Sequence, residues 1–152
     1  MILLTVSKKP DVVLQELITS YETRLKHYIS YQPKLLKPST QSAAGMIKSE
    51  ESQLILKELR QDDYLILLDH QGYLKTSEEL AQMIQKRLND SSRRTVFCIG
   101  GAYGFHDSIY KRADFKLSLS QLTFPHQLCR LVFTEQLYRA CTILRGEKYH
   151  HG

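Results

Sequence analysis

Apolar positions along the chain follow two alternating rhythms. Runs of consecutive apolar residues occur at 2–6, 64–68 and 95–99, each bounded by polar or turn residues. Such runs are expected of strands covered on both faces, the usual state of a parallel sheet. Between them, apolar residues recur at helical spacing. Leu14, Leu17, Ile18, Tyr21, Leu25, Tyr28 and Ile29 mark a helix over about 10–30, with Pro10 near its first turn, where the missing N–H costs nothing. Ile47, Leu54, Ile55 and Leu59 mark a second helix over about 46–60, and Leu80, Met83, Ile84 and Leu88 mark a third. The third opens on Thr76 with Glu79 three residues later, the pattern of a capping box.

Smaller signals complete the order. Pro33 and Pro38 bracket a short strand over 34–37, and the small-polar stretch 38–45 reads as a mobile loop. Residues 69–72 read as a turn, 106–112 as a short helical turn with His106 as a candidate cap, and 114–119 as a last strand. A long helix follows over about 125–144. Strands alternating with helices predict an α/β fold, with a mainly parallel sheet and helices on both faces. Neither repeat nor linker divides residues 1–152, so one domain is expected.

The long helix is apolar nearly all the way round: Leu128, Leu131, Val132, Phe133, Leu137, Tyr138, Ala140, Cys141, Ile143 and Leu144 interrupt only for Arg130, Glu135, Arg139 and Arg145. A helix apolar on most sides must be covered on most sides. In a chain this small, one side can face the sheet and another a second copy, which predicts a homodimer.

Composition narrows the class. At 152 residues, 42% hydrophobic and 24% charged, the chain matches ordinary globular proteins and excludes disordered, collagenous and disulfide-scaffold classes. No apolar run approaches a membrane span, and the opening MILLTVSKKP reads as a strand, not a signal peptide. Three cysteines without a C-x-x-C fit small buried hydrophobes in a reducing, cytoplasmic setting. Cys129 and Cys141, twelve residues apart on one helix, stand about 18 Å from each other, beyond disulfide reach. The net charge is +5; residues 77–152 hold 11 Lys+Arg against 7 Asp+Glu, and four of the six histidines. A surplus of this size permits a nucleic-acid partner without establishing one.

Candidate chemistry concentrates after three strands. Gly100-Gly101-Ala102-Tyr103-Gly104 is neither the dinucleotide fingerprint nor a P-loop, yet its glycines admit close approach of a ligand to backbone. Residues 117–126, LSLSQLTFPH, bring hydroxyls, an amide and a helix start together. A purely local reading has Thr123 capping the helix and Pro125 at its start. The loops 68–72, 100–104 and 119–126 each follow a strand's C-terminal end, where open α/β sheets bind ligands. A small-molecule site there is expected, with His126 a candidate hydrogen bonder. His27 and His70 read as surface residues. No metal-ligand spacing and no G-x-S-x-G occur, so metal and serine-triad chemistry are not expected.

Four ordered stretches carry a family resemblance: 98–104 (CIGGAYG), 117–128 (LSLSQLTFPHQL), 135–140 (EQLYRA) and 145–150 (RGEKYH). Together they resemble the RlmH family, SPOUT-class 23S rRNA pseudouridine N3-methyltransferases, over essentially the whole chain. The resemblance implies an α/β fold with a C-terminal trefoil knot, S-adenosylmethionine as cofactor, and a homodimer acting on 23S rRNA in the assembled large subunit or ribosome. It places the cofactor against Leu68, Gly100, Leu119, Ser120, Gln121, Leu122, Thr123 and Phe124. Arg139, Tyr149 and His150 become the candidates for orienting the base or assisting loss of its N3 proton. Arg139 has the alternative of pairing with Glu135, one helical turn back. Lys8, Lys9, Arg93, Arg94 and Lys148 are candidate phosphate contacts. The chain departs from the family at Ser7-Lys8, where a Gly-Lys is usual, across 30–45, and in its added His151-Gly152. Two other readings stay open: a knotted methyltransferase acting on another RNA such as tRNA, and a ribosome-binding module without turnover.

Overall fold

Side chains of the central strands alternate between two cores, and this alternation organises the molecule. Its computed structural model describes residues 1–8 and 12–150. The strands are β1 (Ile2–Val6), β2 (Gln32–Leu36), β3 (Tyr64–Leu74), β4 (Thr95–Ile99) and β5 (Phe115–Ser118). They form one sheet in the order β2-β1-β4-β3-β5, and every strand pairing is parallel. Leu3, Ile66, Leu68, Phe97 and Ile99 point to one face, and Leu4, Val6, Leu65, Leu67, Val96 and Cys98 to the other. A strand buried on both faces needs an apolar residue at nearly every position, which the continuous runs supply.

Helices cover both faces. On the first lie α1 (Val12–Leu25), α3 (Ser77–Asn89) and α5 (His126–Leu144), contributing Leu25, Leu80, Ile84, Phe133 and Leu137 to the core. On the second lie α2 (Ala44–Glu58) and α4 (Asp107–Arg112), contributing Ile55 and Ile109. The capping box forms as expected: Glu79 N–H donates to Thr76 Oγ1 at 3.2 Å, and Thr76 N–H to Glu79 Oε2 at 2.9 Å. His106 caps α4, its ring accepting from Ser108 N–H at 3.3 Å.

Several expectations need correction. The first helix stops at Leu25 and continues only as a turn through Ile29, while Leu17 faces outward. The second strand includes Pro33, tolerated because β2 is the sheet edge. The stretch 69–72 does not end its strand. It leaves the ladder after Leu68, and pairing with β5 resumes at Tyr73 opposite Leu117. Gly72 is required there, since a Cβ would stand 2.7 Å from the Leu117 carbonyl carbon. On α2 the buried face carries Ile47, Glu51, Ser52 and Ile55, so a carboxylate occupies a core position. The long helix starts at His126 with Pro125 as its cap residue; Thr123 does not cap it. The start placed at Pro10, and Lys9 and His151-Gly152, lie outside the described residues.

Candidate active site at the C-terminal edge of the sheet

The excursion at 69–72 within β3 and the loops that follow β4 and β5 enclose a cleft of about 670 Å³, within the range of small-molecule sites. Leu68, Gly100, Leu119, Ser120, Leu122, Thr123 and Phe124 line it; Gln121 is exposed and does not. Asp69, His70 and Tyr103, from the stretches 68–72 and 100–104, line it as expected, while Lys48 from α2 and Cys129 on α5 join the lining with no signal in the sequence. His70 is a surface residue, as expected, and its exposed ring also borders the cleft, with Nδ1 3.4 Å from Asp69 Oδ1.

Each wall has a local cause. After β4 the chain closes a tight turn, Gly104 N–H to Gly101 O at 3.0 Å, with Gly104 at φ +74°. Only glycine adopts that φ without strain. The Phe105 ring packs under Gly100, 3.2 Å from where a Cβ would stand. After β5, Ser118 Oγ donates to Ser120 O at 2.8 Å, and Leu122 N–H donates to Ser120 Oγ at 3.0 Å. These bonds curl the loop and hold Leu122 outward at the cleft lip, 72% exposed. Tyr110 OH donates to Asp69 Oδ2 at 2.5 Å, fixing the opposite wall. Burial raises the Cys129 thiol to about 11, so it lines the cleft as an apolar group and not as a nucleophile.

Behind the glycine turn lies an acidic group that helical spacing did not reveal. Glu51 is 4% exposed; its Oε1 accepts from Ser39 N–H at 3.2 Å, and its Oε2 has no partner. That orphan oxygen occupies the space a Cβ on Gly101 would need. Burial raises the Glu51 carboxyl above its ordinary range, while the Ser39 bond and His126 oppose the shift. A Cβ at Gly101 would therefore force the Glu51 carboxylate to shift.

Arg139, Tyr149 and His150 come together, but outside the cleft. Arg139 donates Nε and Nη2 to Glu135 Oε1 at 3.0 and 2.6 Å, so the helical pair expected as the alternative exists. The same carboxylate oxygen accepts from Tyr149 OH at 3.0 Å, and the Arg139 guanidinium lies 4.7 Å from the Tyr149 ring centre. His150 sets Nδ1 3.4 Å from Arg139 Nη1 and Nε2 2.6 Å from Glu78 Oε1. Glu135 is thus the hub of the tail. Its Arg139 spacing was readable; its bond to Tyr149 and the contact to Glu78 on α3 were not. Burial first, and bonds to Tyr21 and Glu135 next, push the Tyr149 hydroxyl well above its ordinary range. Hydrogen bonding, including that to His150, holds Glu78 down near 2.

A smaller cavity of about 240 Å³ lies between cleft and tail. It shares Leu119 with the cleft and includes Gln136, whose Nε2 donates to Glu135 Oε2 at 2.7 Å. No group of His, Cys, Asp and Glu able to hold a metal occurs among the described residues.

Residues 1–150 match a family described as "Predicted SPOUT methyltransferase". The chain belongs to the SPOUT methyltransferase family. Two relatives are named "Ribosomal RNA large subunit methyltransferase H". The one from Cytophaga hutchinsonii is 46% identical over 149 residues, covering 97% of this chain and 96% of the relative. The one from Christiangramia forsetii is 45% identical over 152 residues, covering 98% and 97%. Among solved structures, a probable methylase family protein from Haemophilus influenzae Rd KW20 superposes with TM-score 0.51 at 15% identity, over 99% of this chain and 70% of that one. That likeness shows the fold alone. Among the described residues of this SPOUT methyltransferase, no helix is long and apolar enough to cross a membrane.

Proposed function

We propose that this SPOUT methyltransferase transfers the methyl group of S-adenosylmethionine to N3 of a pseudouridine in 23S rRNA of the assembled large subunit or ribosome. The observation that carries the reading is near-full-length similarity, at 46% identity, to a protein named for large-subunit rRNA methylation. The cleft supports the cofactor. Leu68, Ile99 and Leu119 offer apolar walls to an adenine, the glycine turn and the Ser120 and Thr123 hydroxyls suit a ribose, and Asp69 and Asp107 suit a cationic end. Gln121 is the weakest of the expected contacts, being outside the lining.

The cofactor supplies an electrophilic methyl group on a sulfonium. What remains for the protein is orientation of the base and removal of the N3 proton. Glu78 holds the His150 ring with Nε2 as donor, which leaves Nδ1 as an acceptor facing Arg139 Nη1 at 3.4 Å, and Nδ1 takes the N3 proton once the bound base displaces that donor. Arg139, fixed by Glu135 and beside Nδ1, stabilises the negative charge that develops on the base.

In one chain the tail cluster stands apart from the cleft. Arg139 is ten residues beyond the cleft-lining Cys129, about 15 Å along α5. A homodimer that sets the tail of one copy against the cleft of the other would complete the site. Val12 and Val13 at the start of α1, 73% and 67% exposed, and the outward Leu17 and Leu128 support an interface on the α1–α5 side. The trefoil knot belongs to this reading through membership of the SPOUT methyltransferase family.

Calorimetry tests the cofactor reading: pure protein is expected to bind S-adenosylmethionine at the cleft. Absence of binding would overturn it and favour the non-catalytic module.

A further inference from the structure

Beside the cleft, on the face of the sheet that carries α3, the edge of the fold exposes an aromatic ring where a covered sheet would bury it. Tyr73 is 68% exposed, and the next residue, Leu74, is 52% exposed. The position of Tyr73 is not loose. The excursion at 69–72 returns it to the ladder opposite Leu117, with Gly72 flush against the β5 backbone. One face of the Tyr73 ring stacks on Phe115, centres 5.5 Å apart and planes at 24°. Cations accompany the rings: Lys75 Nζ lies 5.8 Å from the Phe115 centre, and further along the same face the Arg87 guanidinium lies 4.1 Å from that of Tyr64.

An exposed ring with one face filled and the other open, next to a lysine, has the makings of a stacking platform for an unpaired base. Base–aromatic stacking tolerates any sequence, and flanking cations hold the phosphate. A protein partner would need a broad apolar patch, whereas Tyr73 and Leu74 point to opposite faces of one strand. The location also fits RNA. The same segment begins at the cleft with Leu68 and Asp69 and ends at Glu78, which touches His150.

We infer that the stacked Tyr73–Phe115 pair, with Lys75, binds an unpaired rRNA base flanking the nucleotide that is methylated. The inference rests on the proposed rRNA substrate, and it assigns a docking contact that takes no part in methyl transfer. Loss of the Tyr73 ring removes one stacked base, so Tyr73→Ala should raise KM for purified large ribosomal subunits about tenfold. kcat at saturation and the affinity for S-adenosylmethionine should stay at wild-type values, and Tyr73→Phe should keep the wild-type KM.

A second measurement does not depend on turnover. The chain has no tryptophan, so Tyr73→Trp introduces a single tryptophan at the platform, which can be excited apart from the remaining tyrosines. Its emission should be quenched by a short single-stranded RNA and not by an abasic strand of equal length and charge. Equal quenching by both strands, or a KM for Tyr73→Ala within twofold of wild type, would overturn the inference. Base-dependent quenching of the Tyr73→Trp variant, with no methylation of ribosomal particles by the wild-type protein, would instead overturn the proposed reaction and leave the platform standing.

Discussion

The two ends of the parallel sheet use charged residues in opposite ways. At the N-terminal ends of β3, β4 and β5 the charges close on protein partners. Asp63, with no exposed surface, takes Arg94 Nε and Nη2 at 2.7 and 2.6 Å and Arg60 N–H at 2.7 Å. Burial would raise its carboxyl, but Arg94 and the backbone donor outweigh that and hold it below the ordinary range. Arg93 and Arg112 both reach Asp114 and the carbonyl of Asp63. At the C-terminal ends the polar groups surround open space, and a buried carboxylate keeps an unpartnered oxygen. Charges closed on one another hold the fold, whereas polar groups that line a cavity stay within reach of a ligand. Arg93 and Arg94, named from sequence as phosphate contacts, therefore belong to the architecture.

The contrast breaks most visibly at Asp63. Asp63→Ala leaves Arg94 without its partner and should cost about 3 kcal/mol of stability in denaturant unfolding. Affinity for S-adenosylmethionine measured below the transition should not change; a variant that stays stable but loses the cofactor would show that both ends belong to one site. Next in size, His150→Ala should lower kcat on ribosomes about a hundredfold with stability nearly unchanged. Full turnover would remove His150 from the reaction.

Gly101→Ala links the two behaviours, because the new methyl group meets Glu51. A loss of about 2 kcal/mol is expected from overpacking, together with clearly weaker cofactor binding by calorimetry. Retention of wild-type affinity would show that the glycine turn does not shape the cleft.

The smallest effect concerns pH. Glu51 has a folded-state value raised by burial, so its favourable contribution is complete below its unfolded value and is lost as pH rises through the folded one. Glu51→Gln should therefore be more stable than wild type near neutrality, by about 1 kcal/mol. The gap should shrink towards about pH 4, where the unfolded carboxyl also takes up its proton. A constant gap would mean that the glutamine gains from packing and not from removal of charge.

Legibility in the sequence followed the range of the forces involved. The Thr76–Glu79 cap, the His106 cap and the doubly buried strands are local patterns, and they read directly. The excursion at 69–72 did not, because what brings the chain back to the ladder is β5, about forty residues away in sequence. Glu51 hid in a helix whose apolar residues suggested a different buried face; only the glycine turn packed against it reveals its place. Arg139, Tyr149 and His150 were readable as a group through resemblance. Their attachment to Glu78 and Tyr21 depends on how α1, α3 and α5 pack, which no spacing along the chain encodes.

We propose that this chain methylates one pseudouridine of large-subunit rRNA. Mass mapping of rRNA and tRNA from a strain lacking its gene tests it most directly. A single methyl missing from a pseudouridine-containing fragment of 23S rRNA, restored by the wild-type gene and not by His150→Ala, is the predicted result. Fully methylated 23S rRNA with a methyl missing from tRNA would contradict it.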